Sequence, residues 1–239
     1  MKMTETMTEK MTAQPGHQAA LFYLLQLASP ALPVGAFSYS EGLETLVQSG
    51  AIANAASLQD WLTQELSYGA IRLEAAVVGR VHSAAIARDL EAIARWNHWL
   101  SGLRETQEMR DQSWQMGRAL TRLVTELQPS VEEEVKACGD RCNFAIAFAI
   151  AAARWGIDAP AAVSGYLHSW LSNMINSGVK LIPLGQTQGQ QVLMQLYPQL
   201  TQTVDDSLSL QDDDFYSCGW GLAIASMTHE TLYSRLFRS

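Results

Sequence analysis

The chain has 239 residues, of which 48% are apolar and only 17% are charged, and its formal net charge is −8. A chain of this length forms one large domain or two small ones. Its charged fraction lies below the roughly 25% of an average soluble domain, which favours a surface that is partly covered by a partner protein. Because the balance is acidic and no basic run occurs, nucleic acid is excluded as an expected partner.

The cysteines and the apolar runs indicate the cellular compartment of the protein. Three cysteines without the spacing of a secreted disulfide framework favour free thiols in a reducing compartment. Residues 1–16 are polar and repetitive, so we expect a disordered leader rather than a signal peptide or an anchor. No apolar run reaches the ~18 residues of a membrane helix. We therefore expect a cytoplasmic protein without a membrane segment.

Apolar residues recur at helical spacing along most of the chain, and no alternating run of useful length indicates a strand. The predicted helices span residues 17–28, 38–48, 57–84, 90–107, 110–127, 138–154, 158–177 and 186–196, with a last helix from 212 towards 233. We expect an all-α fold, a single-domain irregular helical bundle over residues 17–227, followed by a C-terminal tail at residues 228–239.

Local signals place several of these boundaries. Ser29 precedes Pro30 and ends the first helix, because the residue before a proline avoids the helical region. Ser57 is the predicted N-cap of the long third helix, and residues 198–213 read as a polar, acidic connection. The run Phe144–Ala153 is apolar nearly all round, which predicts a central, buried helix.

Metal ligation is weakly indicated. Cys138 and Cys142 are four residues apart, so on one helix they would share a face and offer two soft ligands. A closed site needs two more ligands, and no histidine lies within fifteen residues of either cysteine. We therefore expect both cysteines to be small buried hydrophobes and predict no metal site.

Two acidic clusters, Asp205–Asp206 and Asp212–Asp214, raise the alternative of a magnesium–diphosphate site in an all-α enzyme. Such a site needs carboxylates about four residues apart on one helix face. The acids here are adjacent, so their side chains point in different directions. A solvated connection and a helix start explain them better.

No nucleophile elbow and no phosphate-binding loop occurs, so no catalytic residue and no cofactor is predicted. The segment Gly185–Gln190 is rich in glycine and glutamine, but it lacks the lysine and the preceding strand of a phosphate loop. Its glutamines follow Lys180 closely. They either contact a nucleotide-binding partner or form a capped helix start, and the sequence leaves both interpretations open.

The stretch Ser29–Gly42 is unusually stiff. Prolines fix φ and remove amide donors, whereas glycines allow positive φ or a close backbone approach. The prolines, glycines and aromatic side chains concerned are Pro30, Pro33, Gly35, Gly42, Phe37 and Tyr39. This combination indicates a shaped binding surface, a tight core corner, or both.

Three segments resemble motifs of the urease accessory protein UreF family. The first is Leu24–Glu44, which reads LLQLASPALPVGAFSYSEGLE, and the second is Val179–Gln190, which reads VKLIPLGQTQGQ. The third is Thr228–Ser239, which reads THETLYSRLFRS. They occur in the order typical of the family, and the resemblance spans residues 21–239.

The resemblance implies a non-enzymatic helical protein that forms a homodimer and joins two other accessory proteins, UreD (also called UreH) and the GTPase UreG. That assembly is expected to act on apo-urease and to help install its nickel centre. The tail is implied in UreD binding, and the mid-chain segment in contact with the GTPase. An alternative function is direct activation of UreG, with an arginine, Gln186 or Gln190 supplied in trans.

The family motifs therefore imply a set of partner-binding residues. They are Ser29, Pro30, Pro33, Gly35, Phe37, Tyr39, Gly42 and Glu44 in the first segment, Lys180, Pro183, Gly185, Gln186 and Gln190 in the second, and His229, Glu230, Tyr233, Arg235, Leu236 and Phe237 in the tail.

Overall fold

A computed structural model describes residues 17–217 and 219–239, and within these residues it contains eleven α-helices and no strand. The helices are α1 (His17–Leu27), α2 (Leu43–Gln48), α3 (Ala55–Tyr68), α4 (Ala70–Ala87), α5 (Leu90–Leu103), α6 (Gln107–Leu127), α7 (Glu132–Ala137), α8 (Phe144–Arg154), α9 (Ala159–Leu181), α10 (Gln186–Ser209) and α11 (Trp220–His229). The predicted all-α fold is confirmed. The predicted leader at residues 1–16 lies outside the described residues.

Helix α8 is the centre of the bundle. Every side chain from Phe144 to Ala153 is buried, and α8 packs against α4, α6 and α9. A helix that is apolar on all sides is stable only where other helices surround it. The prediction of a central, buried helix in this segment is confirmed.

The predicted third helix is wrong in its extent, because α3 and α4 occupy that stretch with a break between them. Gly69 separates them in an extended conformation, with φ −76° and ψ 173°. The carboxylate of Glu65 fills the space that a Cβ at Gly69 would need. The N-cap is Asn54 rather than Ser57: Ser57 N donates to Asn54 Oδ1 at 3.0 Å, and Ser57 Oγ accepts from Asn54 N, which completes a capping box.

Helix α10 is longer than predicted and includes most of the expected connection at 198–213. It continues through Pro198, although proline removes one amide donor from a helix interior. Leu200 and Val204 beyond the proline are buried, and α10 packs against α3, α4 and α9. This apolar stripe stabilises the C-terminal half of α10 in spite of the acidic composition there.

Several further predicted helices are shorter than expected: the helix predicted at 138–154 begins only at Phe144, and the helix predicted at 90–107 ends at Leu103. In the stretch 38–48 only α2 is α-helical, because Gly42 has a φ of 83° immediately before it. Asp212–Asp214 form only a 3₁₀ turn, and α11 begins at Trp220. No described helix has the length and apolar character needed to cross a membrane.

Cys138 and Cys142 do not share a helix face. Cys138 follows α7 as its C-terminal cap, and Cys142 lies in the loop before α8. Both are buried free thiols, and their Sγ atoms are 3.1 Å apart. The hydrogen bond to Cys138 raises the pKa of the Cys142 thiol well above its usual range, and burial acts in the same direction.

Candidate partner-binding site

The segment between α1 and α2 is partly core and partly surface. Val34 and Tyr39 are buried, and the Tyr39 hydroxyl donates to Gln115 Oε1 at 2.9 Å. Phe37 lies in the 3₁₀ turn Ala36–Ser38 and is 68% exposed. The two interpretations of this segment, a core corner and a binding surface, therefore apply to different side chains of the same loop.

Gly35 and Gly42 both have positive φ, 77° and 83°, a backbone region that favours glycine. Around Gly35 a Cβ would meet nothing within 4 Å. At Gly42 a Cβ would lie 3.0 Å from Ser226 N and 3.3 Å from Ala225 in α11. Gly42 is therefore required both by its backbone conformation and by the close approach of α11.

Glu44 in α2 holds the C-terminal tail, residues 228–239, against the body of the protein. Its Oε1 accepts from Leu236 N at 2.7 Å, and its Oε2 accepts from Phe237 N at 3.0 Å. His229 Nε2 lies 3.3 Å from Glu44 Oε2, and the His229 side chain is fully buried. The buried carboxylate thus satisfies two amides that would otherwise lack an acceptor.

Further contacts extend this docking along the tail. His229 Nδ1 lies 2.7 Å from Glu108 Oε2, and Arg235 forms an ion pair with the same carboxylate. Arg238 N donates to Ser38 O at 2.9 Å. The tail is therefore bonded both to α6, through Glu108, and to the backbone of the first segment.

Ser239 closes the contact between the tail and the first segment. Its main-chain oxygen accepts from Ser40 N at 2.6 Å, from Ser40 Oγ at 2.8 Å and from Glu41 N at 3.1 Å. The Ser239 hydroxyl donates to Gln112 Oε1 at 2.6 Å. The bonds to Ser40 and Glu41 join residues that are almost 200 positions apart in the sequence, so the first and third motifs form one structural unit.

The mid-chain segment reaches the same region. Lys180 is in the last turn of α9, and its Nζ lies 5.3 Å from the centroid of the Phe237 ring, within range of a cation–π contact. A groove of about 230 Å³ separates the first and second segments. Pro30 and Phe37 line one side of it, and Lys180 and Gln186 line the other. All three motifs thus meet on one face of the bundle.

The start of α10 shows what the glutamines do. Gln188 Oε1 accepts from Gly185 N at 3.0 Å and caps the helix, whereas Gln186 and Gln190 are exposed. The interpretation as a capped helix start is confirmed for Gln188. Gln186 and Gln190 remain available for a partner.

The structure separates the implied partner-binding residues by exposure. Those that are exposed are Pro30, Pro33, Phe37, Lys180, Pro183, Gly185, Gln186, Gln190, Glu230, Tyr233, Arg235 and Leu236; Ser29 and Gly35 are half-buried; Tyr39, Gly42, Glu44, His229 and Phe237 are buried. Only the exposed and half-buried groups offer contacts without rearrangement. The buried ones hold the three segments together.

A buried ion pair lies beneath this face, and sequence reasoning missed it. Arg104 Nη1 pairs with Glu74 Oε1 at 2.7 Å, and the Tyr166 hydroxyl donates to Glu74 Oε2 at 2.6 Å. Burial lowers the pKa of the Arg104 guanidinium, but the negative charges around it, Glu74 first, outweigh this effect and leave the pKa raised. Burial and the neighbouring Glu74 raise the pKa of Tyr166 well above its usual range.

Glu41 was also missed as a structural residue. Its carboxylate is turned inward and accepts from Gln112 Nε2 and from Trp170 Nε1, each at 2.8 Å. Burial raises the pKa of Glu41, and the charge of Glu74 acts in the same direction, whereas Arg104 and the two hydrogen bonds lower it. In the sequence Glu41 stands between Ser40 and Gly42, and no local pattern marks it as buried.

Comparisons with known proteins show to which family the chain belongs. The family model described as UreF matches residues 52–197, more than half of the chain. The chain belongs to the UreF family. A relative named "Urease accessory protein UreF" from Nostoc sp. is 57% identical over 217 residues, which are 91% of this chain and 95% of the relative.

Two other relatives bear the same name as the Nostoc protein. The one from Microcystis aeruginosa is 54% identical over 222 residues, covering 93% of this chain and 99% of the relative. The one from Alcanivorax borkumensis is 42% identical over 228 residues, covering 93% and 100%. The UreF family model includes only the mid-chain motif, whereas alignments of this length extend well beyond it. Among the described residues, no group of three or more His, Cys, Asp or Glu side chains is placed to hold a metal ion.

Proposed function

We propose that this chain is a urease accessory protein that acts in maturation of the urease nickel centre by binding two other accessory proteins, UreD and the GTPase UreG, at once. It acts on apo-urease as part of that assembly and catalyses no reaction itself. Nickel is the cargo of the process. Family membership and the names of the relatives support the urease connection, and the geometry of the three motifs supports the bridging role.

The observation that carries the bridging role is the meeting of the three motifs on one face. The exposed tail side chains Tyr233 and Leu236 lie on a backbone anchored by Glu44, and they form the UreD side of the proposed bridge. The exposed Lys180 and Gln186 lie across the groove and form the UreG side. A single rigid face that presents both sets allows two partners to bind next to each other.

Co-elution tests this proposal. The purified chain, mixed with UreD and UreG, is expected to elute with both on a sizing column. The double variant Tyr233→Ala, Leu236→Ala is expected to lose UreD and keep its far-UV circular dichroism, because both side chains are largely exposed. Leu127→Ala, an exposed leucine at the end of α6, is the matched control. No co-elution of the unaltered chain with either protein would refute the bridging role.

Deleting the tail would be a poorer test than these substitutions. The tail supplies the amide donors to Glu44 and the acceptor for Ser40, so its removal leaves buried polar groups without partners. Loss of UreD binding after the deletion would then have two possible causes, the missing tail contacts and a change in the remaining surface. Substitution of exposed side chains separates the two effects.

Direct activation of the GTPase is the second candidate function, favoured by the exposure of Gln186 and Gln190 at the start of α10. A glutamine presented in trans can orient the attacking water in GTP hydrolysis. Single-turnover hydrolysis by UreG, with and without this chain, tests it. Acceleration that is lost in Gln186→Ala, Gln190→Ala but kept in Gln195→Ala would support activation. No acceleration would leave the bridging role alone.

The homodimer implied by the family resemblance has a candidate face on α1. Leu21, Phe22 and Leu25 are 50%, 61% and 58% exposed, and a contiguous apolar strip of this kind marks an interaction surface. We expect a second copy of the chain to cover it. Sedimentation velocity is expected to show a dimer for the unaltered chain and a monomer for Phe22→Asp, with Leu127→Asp unchanged. A monomeric unaltered chain would refute self-association.

A further inference from the structure

A second concave site lies away from the groove, between the C-terminal end of α3 and the segment that leads into α11. Its volume is about 430 Å³. Trp61 and Tyr68 form aromatic walls, Glu65 lies between them along α3, and Gly69 and Gly219 complete the lining together with Leu46 and Leu222. None of the described lining residues is basic. Nothing in the proposed bridge uses this cavity.

The Glu65 carboxyl is the chemical centre of the cavity. The residue is only 6% exposed, and its Oε2 has no hydrogen-bond partner among the described residues. The carboxylate is pressed against Gly69, where the missing Cβ leaves room for it. A buried carboxylate oxygen without a donor is costly, so its presence calls for an explanation in a ligand or partner.

The electrostatic surroundings indicate the sign of the missing group. Burial raises the pKa of Glu65 to about 7, and the negative charges of Glu41 and Glu105 act in the same direction, opposed by the Trp61 indole. No positive group of the described chain offsets these charges at the carboxyl. A cation placed in the cavity would stabilise the ionised carboxylate through its charge.

We propose that this cavity binds an organic cation, the guanidinium or ammonium group of an arginine or lysine side chain carried by a partner protein. Such a cation is attracted both by the negative charge of a carboxylate and by the face of a neighbouring aromatic ring. The cavity offers both groups side by side. A divalent metal ion fits poorly, because it needs several oxygen ligands and only one carboxylate lines the cavity.

The rim of the cavity identifies the source of the cation. Tyr68 is 61% exposed and Trp220, which follows the lining residue Gly219, is 71% exposed. Large exposed aromatic side chains beside a mostly apolar pocket that holds one acid are typical of protein interfaces, where they surround a buried charged contact. The choice of a protein-borne side chain rests on the proposed partner-binding role, whereas the cation site itself does not.

The experiment uses the full chain without any partner, so that it is independent of the bridging proposal. The indole N–H resonance of Trp61, assigned by its disappearance in Trp61→Phe, is followed in ¹H–¹⁵N spectra during titration with butylguanidinium chloride at constant ionic strength. We expect a saturable shift in the millimolar range. N-acetyl-arginine-N′-methylamide, which carries the same group on a peptide backbone, is expected to produce the same shift.

Three variants test whether binding of butylguanidinium depends on the side chains of this cavity. Glu65→Gln is expected to weaken butylguanidinium binding about tenfold or more, because the attraction between the cation and the ionised carboxylate is lost. Tyr68→Ala, a change at an exposed side chain, is expected to weaken it by a smaller factor. Glu133→Gln, an exposed acid on α7, is the matched control and is expected to bind unchanged.

Several outcomes would overturn the proposal. They are the absence of a saturable shift at Trp61, an equal shift with neutral 1-butanol, an equal shift with magnesium chloride, or unchanged binding in Glu65→Gln. If butylguanidinium binds and the capped arginine does not, the cavity accepts only small free cations and the protein-borne source is wrong. Failure of co-elution with UreD and UreG leaves all of these measurements interpretable.

Discussion

Replacing Glu65 by glutamine is expected to stabilise the protein at neutral and alkaline pH. In the folded chain the pKa of Glu65 is raised from 4.5 to about 7, mainly by burial. A carboxyl whose pKa is raised on folding opposes folding once it is ionised. The cost is absent below pH 4.5, grows as the pH rises from 4.5 to 7, and is complete above 7. Glutamine keeps the shape and removes the charge.

The magnitude follows from the size of the pKa change. Each tenfold change in proton affinity is about 1.4 kcal/mol, so Glu65→Gln should raise the free energy of unfolding by about 3 kcal/mol at pH 8. At pH 5.5, where the folded carboxyl is largely protonated, the gain should fall to about 1.4 kcal/mol. Because Glu65 is only 6% exposed, solvent screening reduces these values little.

Urea unfolding followed by circular dichroism at pH 5.5 and pH 8 measures both values. Glu133→Gln is the control, and a change at an exposed acid should stay within about 0.5 kcal/mol at either pH. A Glu65→Gln variant that is less stable than the unaltered chain at pH 8 would show that the carboxylate forms a stabilising contact. A gain that does not grow between the two pH values would show that the charge is not the cause.

Three other substitutions test the contacts around the three motifs and beneath them. Gly42→Ala should cost more than the ~1 kcal/mol expected for Gly50→Ala, since both have positive φ but only Gly42 touches α11; urea unfolding of the pair decides this. Glu44→Ala should release the tail, seen as faster amide hydrogen exchange there than in the unaltered chain, and unchanged exchange would refute the anchoring. Glu74→Gln should cost about 3–5 kcal/mol by leaving Arg104 buried without its charge partner, and a loss below 1 kcal/mol would contradict that.

Short-range patterns in the sequence predicted the parts of the fold that short-range forces decide. The run Phe144–Ala153 is apolar on every side and had to be central. The break at Gly69 was hidden, because apolar residues keep helical spacing across it and the bend follows from where the Glu65 carboxylate packs. The continuation of α10 past Pro198 could not be predicted either, because contacts with α3 and α4, which lie far away in the sequence, stabilise it.

The candidate site, like the fold, could be predicted from the sequence only in part. The motifs named the segments that meet, but their pairing depends on bonds between residues far apart in the sequence, such as Glu44 with the amides of Leu236 and Phe237. No local pattern encodes such a pairing. Sequence reasoning therefore identified His229 and Phe237 as contact residues, and only the structure shows that they are buried against the chain itself.

Glu134 forms an ion pair with Arg154, although its Oε2 has no hydrogen-bond partner among the described residues. Four other inward-facing carboxylates differ in what satisfies them, and the difference singles out one. Glu74 has the Arg104 guanidinium at 2.7 Å, Glu44 has two tail amides, and Glu41 accepts two hydrogen bonds from side chains. Glu65 has an Oε2 with no donor among the described residues. The first three are explained by the folded chain alone, because each charge or lone pair has a partner within it. Glu65 differs from them: among the described residues only the Trp61 indole opposes the rise in its pKa, and its ionised form opposes folding, which is the imbalance that the proposed external cation would relieve.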